Sequence, residues 1–196
     1  MARVRTFIGI DPGKTIRDRL IALQQTLNRA GAEVKWVEPE NLHVTLLFLG
    51  EVLMTDVPAI CAAVADVASS HPAFPLSIET TGCFPNPRRP RILWVGVGEG
   101  ALEVTALYDA LQRPLLDLGC YRREERQYTP HITLGRVKSG RPNGGDEGTP
   151  SSLATVLVRY ADWKGGVTTV REVHVMSSEL TSRGPSYAVL SRAKLC

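Results

Sequence analysis

Of the four cysteines in the 196 residues, Cys61, Cys83, Cys120 and Cys196 stand far apart and no C-x-x-C pair occurs. That spacing offers neither a zinc knuckle nor a redox dithiol, and free, reduced thiols are expected. No apolar run approaches the roughly 20 residues that a membrane helix needs, so no membrane-spanning helix is expected. No hydrophobic export segment follows Met1-Ala2-Arg3-Val4-Arg5, and a cytoplasmic location is the expectation. Strong charge of one sign is missing too. A net charge of +3 tolerates a phosphate-bearing partner but does not suit a protein that coats DNA. There is no G-x-S-x-G elbow for an acyl-transfer nucleophile.

The phosphate-binding P-loop is absent as well. Gly13-Lys14-Thr15 matches its end, but Ile8 stands where the motif requires its first glycine. Gly9-Ile10-Asp11-Pro12-Gly13 looks like the first strand of RNase H-fold nucleases, whose aspartate holds a metal. That fold continues through a meander of strands, whereas here Ile16, Leu20, Leu23 and Leu27 announce an amphipathic helix, with Gly31 as its stop. Asp11 is then read as a turn residue near a helix N-terminus.

What the chain does contain is one tetrapeptide pattern twice: His43-Val44-Thr45-Leu46 and His131-Ile132-Thr133-Leu134. With 4 histidines and 43% hydrophobic residues, two chance copies amount to about a one-in-a-thousand event. In a strand, the period of two sends each His and Thr to one face and the apolar pair to the other. Each stretch should bury one side and present chemistry on the opposite one.

Around these motifs the periodicity predicts strands at Val4–Ile10, Val34–Val37, Asn41–Leu49, Phe74–Ile78, Ile92–Val97, Tyr128–Val137, near Val167–Ser178, and at Tyr187–Leu190. Helices are expected after Thr55 or Asp56 as cap, over Leu102–Leu118, and around Leu153–Tyr160. Phe84–Pro90 reads as a proline-rich loop carrying Arg88 and Arg89, and Ser139–Ser152 as a loop rich in Gly and Pro. Each half thus runs strand, helix, motif strand, helix, strand, in the manner of a diverged duplication. The expectation is one two-lobed α+β unit over residues 1–196, pseudo-symmetric, with antiparallel sheets flanking a central cleft that both His-Thr faces share.

Two histidines near neutral pKa allow one to act as base while the other acts as acid. Threonine hydroxyls on the same face are donors suited to phosphate oxygens. Phosphoester chemistry fits this set better than acyl transfer, and two histidines without further ligands make an incomplete metal site. His71 and His174 lack the motif and read as structural.

At this level the chain resembles the two-histidine (2H) phosphoesterases, and within them the RNA 2′,3′-cyclic phosphodiesterases, also called 2′-5′ RNA ligases. The resemblance rests on Thr6-Phe7-Ile8-Gly9-Ile10, on Trp36-Val37 with Pro39 through Gly50, and on Phe84-Pro85-x-Pro87-Arg88-Arg89-Pro90-Arg91 before Leu93-Trp94. It continues through Pro130-His131-Ile132-Thr133-Leu134-Gly135-Arg136, Ser178-x-Leu180 and Gly184-Pro185-x-Tyr187. It implies hydrolysis of a terminal 2′,3′-cyclic phosphate to a 2′-phosphate without metal or cofactor, on RNA or oligonucleotide ends, tRNA fragments being one candidate, with no obligate protein partner. His43 would be the proton donor and His131 the acceptor, while Thr45, Thr133 and Arg136 would hold phosphate. The reverse reaction would give 2′-5′ ligation. Arg136 lies at an odd offset from His131 and reaches the same face only if Gly135 bulges or ends the strand. Phe48, by alternation, is expected to point with Val44 toward the core, leaving Tyr128 as another stacking surface. Another 2H activity, on 2′-5′ oligonucleotides or small cyclic nucleotides, and a non-catalytic RNA-end-binding module are the alternatives.

Overall fold

The computed structural model describes residues 1–29, 33–123, 127–138, 152–182 and 184–196. Gly31, and nearly all of the loop expected over Ser139–Ser152, lie outside them. Nine strands and four helices follow one another as β1 (Arg3–Ile10), α1 (Gly13–Asn28), β2 (Val34–Trp36), β3 (Val44–Leu53), α2 (Val57–Ser69), β4 (Phe74–Phe84), β5 (Ile92–Val97), α3 (Ala101–Asp117), β6 (His131–Val137), α4 (Ser152–Arg159), β7 (Lys164–Val170), β8 (Glu172–Thr181) and β9 (Gly184–Lys194) among the described residues. Helix α1 forms where four apolar side chains recur at helical spacing, and Ile16, Leu20, Leu23 and Leu27 are all buried.

Two local expectations are corrected. Neither Thr55 nor Asp56 caps α2: Asp56 occupies the N-cap position in a helical conformation and makes no capping hydrogen bond, while the Thr55 hydroxyl donates to Asp56. The first motif strand does not begin at Asn41 either. Pro39–Asn41 forms a single 3-10 turn, which Pro39 favours by its fixed φ, and pairing starts at Val44. Asp11 has the turn role expected of it, accepting from the Gly13 N–H at 2.7 Å and pairing with Arg17 at 2.7 Å.

All strands pair into one antiparallel sheet in the order β7-β4-β5-β6-β3-β1-β8-β9, with β2 added on β6. The order reads symmetrically outward from the β6–β3 seam: each motif strand is followed by one partner and then by an outer pair. The duplication in the sequence is therefore not partitioned as two consecutive lobes. The C-terminal β8–β9 hairpin joins β1 and β3, while β4, from the first half, joins β5, β6 and β7. Helices cover one face, α1 packing on β7 and α2 on β9 and β8, and leave the other face of the motif strands open.

The seam itself is narrow. The two motif strands are bridged at one residue pair, Val44 opposite Ile132, both fully buried toward the helices. Since directly opposed residues of an antiparallel pair share a face, the residues on either side, His43, Thr45, His131 and Thr133, all lie on the other one.

Past this point each motif strand carries an extra residue. Against β1, Thr45 faces Gly9 while Leu47 faces Ile8, so Leu46 is unmatched; against β5, Thr133 faces Trp94 while Gly135 faces Leu93, so Leu134 is unmatched. These are β-bulges at the same place in both copies, and each reverses the alternation beyond it. Leu46 and Leu47 are consequently both buried, as are Leu134 and Gly135. The second bulge is braced from α1, where the buried Gln24 amide donates to Leu134 O and to Val37 O, each at 2.9 Å. Shortening Ile132 to Ala should lower unfolding stability by about 2–5 kcal/mol, the usual effect of a buried Ile truncation; a urea titration of the two proteins measures it, and an unshifted midpoint would mean that the seam contributes little.

Candidate active site

Each motif histidine is oriented by the same local bond. His43 Nδ1 donates to the Asn41 carbonyl and His131 Nδ1 to the Thr129 carbonyl, both at 2.7 Å. A carbonyl oxygen only accepts, so Nδ1 carries the proton in both rings and Nε2 is the atom free for chemistry. His43 Nε2 meets the Thr45 hydroxyl at 2.9 Å. The Thr45 strand is tied in turn to the second motif, because the Tyr128 hydroxyl donates to Thr45 O at 2.7 Å. The 3-10 turn before His43 is held by Asn41 Nδ2, which donates to Pro185 O at 2.7 Å at the start of β9.

Aromatic rings flank both imidazoles. Phe7 lies 4.8 Å and Tyr187 5.5 Å from His43, while Phe84 lies 5.2 Å and Trp94 6.2 Å from His131, measured between ring centres. Glycines make these approaches possible. A Cβ on Gly9 would stand 2.9 Å from Val44 O and 3.2 Å from a ring carbon of His43, and one on Gly82 would collide with the Trp94 ring. None of these four aromatics was named for the site from sequence. All four lie within the segments that carry the family resemblance, but nothing in β-periodicity tells which strands become neighbours of His43 and His131.

The bulges decide the next residues. Arg136 follows the bulge at Leu134, is exposed, and acts electrostatically on Tyr187, which itself packs edge-on to His43. Its odd offset is thus absorbed by an extra residue at Leu134, directly before Gly135. The expectation for Phe48 is overturned by the same device: the bulge at Leu46 turns it away from Val44, leaving it 52% exposed with its ring 5.8 Å from Phe7. Tyr128 is largely enclosed and stacks on Tyr108 with ring centres 4.0 Å apart.

Burial is the first cause that pushes the pKa of both His43 and His131 below the ordinary imidazole value. The hydrogen bonds to Asn41 and Thr129 oppose it; at His43 the Asp11 carboxylate opposes it too, while the His131 ring adds a smaller lowering effect. The other two histidines are occupied elsewhere. His71 Nδ1 donates to Val67 O at the end of α2, at 2.8 Å, and buried His174 meets Glu172 at 2.7 Å. No group of three or more His, Cys, Asp or Glu side chains poised for a metal occurs among the described residues.

Comparison with known proteins identifies the family. Residues 10–94 match the family model described as LigT like Phosphoesterase. A protein of Methanothermobacter thermautotrophicus named RNA 2′,3′-cyclic phosphodiesterase is 38% identical over 185 residues, which cover 94% of this chain and 95% of that protein. The chain belongs to the LigT-like 2H phosphoesterases. A member of the same name from Aquifex aeolicus is 32% identical over 97% of this chain and 96% of its own length. Among solved structures, one from Thermus thermophilus superimposes with a TM-score of 0.79 at 27% identity over 97% of both chains. Escherichia coli LigT shares the fold with a TM-score of 0.76 at 23% identity, over 99% of both chains. The expected α+β fold with two pseudo-symmetric halves is therefore the family fold. No helix among the described residues is long and apolar enough to cross a membrane.

The depressed pKa values have a measurable sign. In the free protein both rings should gain their second proton only as pH falls below about 6.5, and added inorganic phosphate should move both titrations upward, because a neighbouring anion favours the imidazolium. Imidazole NMR titration with and without phosphate tests this; titration of both rings above the ordinary value in the free protein would contradict the burial argument.

Proposed function

We propose that this protein hydrolyses RNA 2′,3′-cyclic phosphodiester ends to 2′-phosphomonoesters, with His43 as general acid and His131 as general base. The observation that carries the reading is the pair of Nε2 atoms on one face, each ring locked through Nδ1–H to its own backbone, with a threonine beside each. The names of the relatives point to the same substrate.

The steps follow from that arrangement. His131 Nε2 takes a proton from water as the water oxygen attacks phosphorus, the P–O3′ bond breaks, and His43 Nε2–H protonates the departing O3′. Thr45 and Thr133 donate to the non-bridging oxygens, stabilising charge that grows in the transition state. Before substrate arrives the Thr45 hydroxyl is engaged with His43; an anionic phosphate favours protonation of that ring and releases the hydroxyl to the phosphate. Arg136 adds a positive charge at the same end of the site. Phe48, exposed next to Phe7, offers the terminal base a stacking surface. Because acid and base exchange roles in reverse, the same groups would join a cyclic end to a 5′-hydroxyl in a 2′-5′ linkage. RNA fragments with cyclic-phosphate ends, those of tRNA included, are the substrates this reading selects, and the cytoplasm is where they would be met.

The test is hydrolysis of a short cyclic-ended RNA in EDTA with the product identified. The 2′-phosphate is expected; exclusive formation of the 3′-phosphate would move the leaving group to O2′ and overturn the assignment. Replacing His43 or His131 with Ala should each lower kcat by about 10²- to 10⁴-fold, and the double variant should lose little more, since the two act as a unit. Unchanged kcat in both single variants would remove the mechanism.

A further inference from the structure

Two cations face each other on the open side of the sheet. Lys35 of β2 stands directly opposite Arg136 of β6, and both are exposed. Directly opposed residues of an antiparallel pair share a face with their Cβ atoms about 5 Å apart, and like charges so placed are destabilising. Neither side chain enters an ion pair or a hydrogen bond among the described residues, although Glu33 and Glu38 are close on the chain. The fold holds the two charges in this position. Trp36 Nε1 donates to Asn28 Oδ1 of α1 at 2.9 Å, and a Cβ on Gly135 would stand 2.6 Å from Val34 and 3.0 Å from Trp36. Val34 and Trp36 thus close over the helix side of β6, and Lys35 between them points the other way. Resting on the two-histidine reading above, we propose that Lys35 and Arg136 form a second phosphate site, which takes the 5′-phosphate of the nucleotide that bears the cyclic end.

The antiparallel seam gives the pair its place. With Val44 opposite Ile132, Thr133 lies across from His43, and the chain after it runs past His43 to Arg136. The electrostatic effect of Arg136 on Tyr187, whose ring packs edge-on to His43, agrees with that position. Phe48 lies toward the other end of the seam, beyond Thr45. Because His43 protonates the leaving O3′, the terminal ribose belongs beside it. From that sugar the base departs at C1′ and the chain at C4′, on either side of the ring oxygen. A base on Phe48 therefore sends the 5′-phosphate toward Arg136 and Lys35. Neighbouring strands are about 4.8 Å apart, close enough for one phosphate to meet both cations. Arg136 has five N–H donors and can serve both phosphates, while Lys35, one strand further out, serves the second. A bound anion turns the repulsion between the two cations into two attractions. The consequence is selection. The histidines and threonines act on any 2′,3′-cyclic phosphate, whereas this site favours one whose O5′ carries a phosphate, as every RNA end does and a free cyclic nucleotide does not.

Two substrates that differ in one group test the site: adenosine 2′,3′-cyclic phosphate with a free 5′-hydroxyl, and the same molecule carrying a 5′-phosphate. Water is the nucleophile for both, so a difference between them belongs to the molecule being hydrolysed. The wild-type protein is expected to show kcat/KM at least about tenfold higher for the 5′-phosphorylated substrate at low salt, an advantage that shrinks as salt is raised. Lys35→Gln should lower kcat/KM for that substrate by at least about fivefold, mainly through KM, while changing the 5′-hydroxyl substrate by less than about twofold. Lys35→Arg should keep the advantage. Equal rates on the two substrates in the wild-type protein, or equal loss on both in Lys35→Gln, would overturn the proposal and leave the hydrolytic reading intact. So would turnover of cyclic-ended RNA with neither mononucleotide accepted. Since Lys35→Gln removes a repulsion, its urea midpoint should be unchanged or higher; a clearly lower one would overturn the premise that the two charges oppose each other. If the wild-type protein opens no cyclic ends at all, the hydrolytic reading fails and takes this inference with it.

Discussion

Val44 and Ile132 face each other across the middle of the sheet, and the site exists only in that register. Their side chains have no polar function. Being fully buried against the helices, they oblige the residues on either side to face outward, and one antiparallel bridge then sets two histidines and two threonines together. A slip of one residue in either strand would bury the imidazoles and expose the aliphatic groups, a large penalty with both motif cores already packed. The hydrophobic effect here acts as a positioning force for groups it does not touch.

What could be read in advance follows the range over which each determinant acts. The His-Thr pairs, the helix of Ile16 to Leu27 and strand β5 are local periodicities, and they lie where periodicity puts them. Phe48 was misplaced because alternation holds only until a strand gains a residue, and nothing in Leu46-Leu47 marks one of them as extra. The glycine at the second bulge gave Arg136 a hint of this kind; the first bulge lacks one. Strand swapping was illegible for a different reason. The similar order of elements in the two halves describes the chain, whereas membership of a lobe depends on which edges pair, and β4 and the β8–β9 hairpin cross over.

The two bulges also explain how a symmetric frame serves an asymmetric reaction. Phe48 and Arg136 occupy corresponding places, each the third residue after its motif threonine and each just past an unmatched leucine. One position carries an aromatic ring and the other a guanidinium. The backbone treats both copies alike, and the difference between a surface for a base and a charge for a phosphate lies in single side chains. Divergence of this kind leaves the register of the seam, and with it the catalytic spacing, undisturbed.

The crossing of the C-terminal hairpin has a consequence for how the protein comes into being. His43 is made early, yet its turn is anchored by Asn41 to Pro185, 144 residues downstream, and its ring is flanked by Tyr187. Domains generally fold as units as the chain emerges from the ribosome, and here the lobe holding the first histidine cannot close until the last strand has been synthesised. A fragment that stops before β9 contains every strand of the His131 half, β4 to β7, but lacks the partners that orient His43. The two histidines, alike in sequence, are thus unlike in when their surroundings can form: those of His131 earlier in synthesis, those of His43 only once β9 is made.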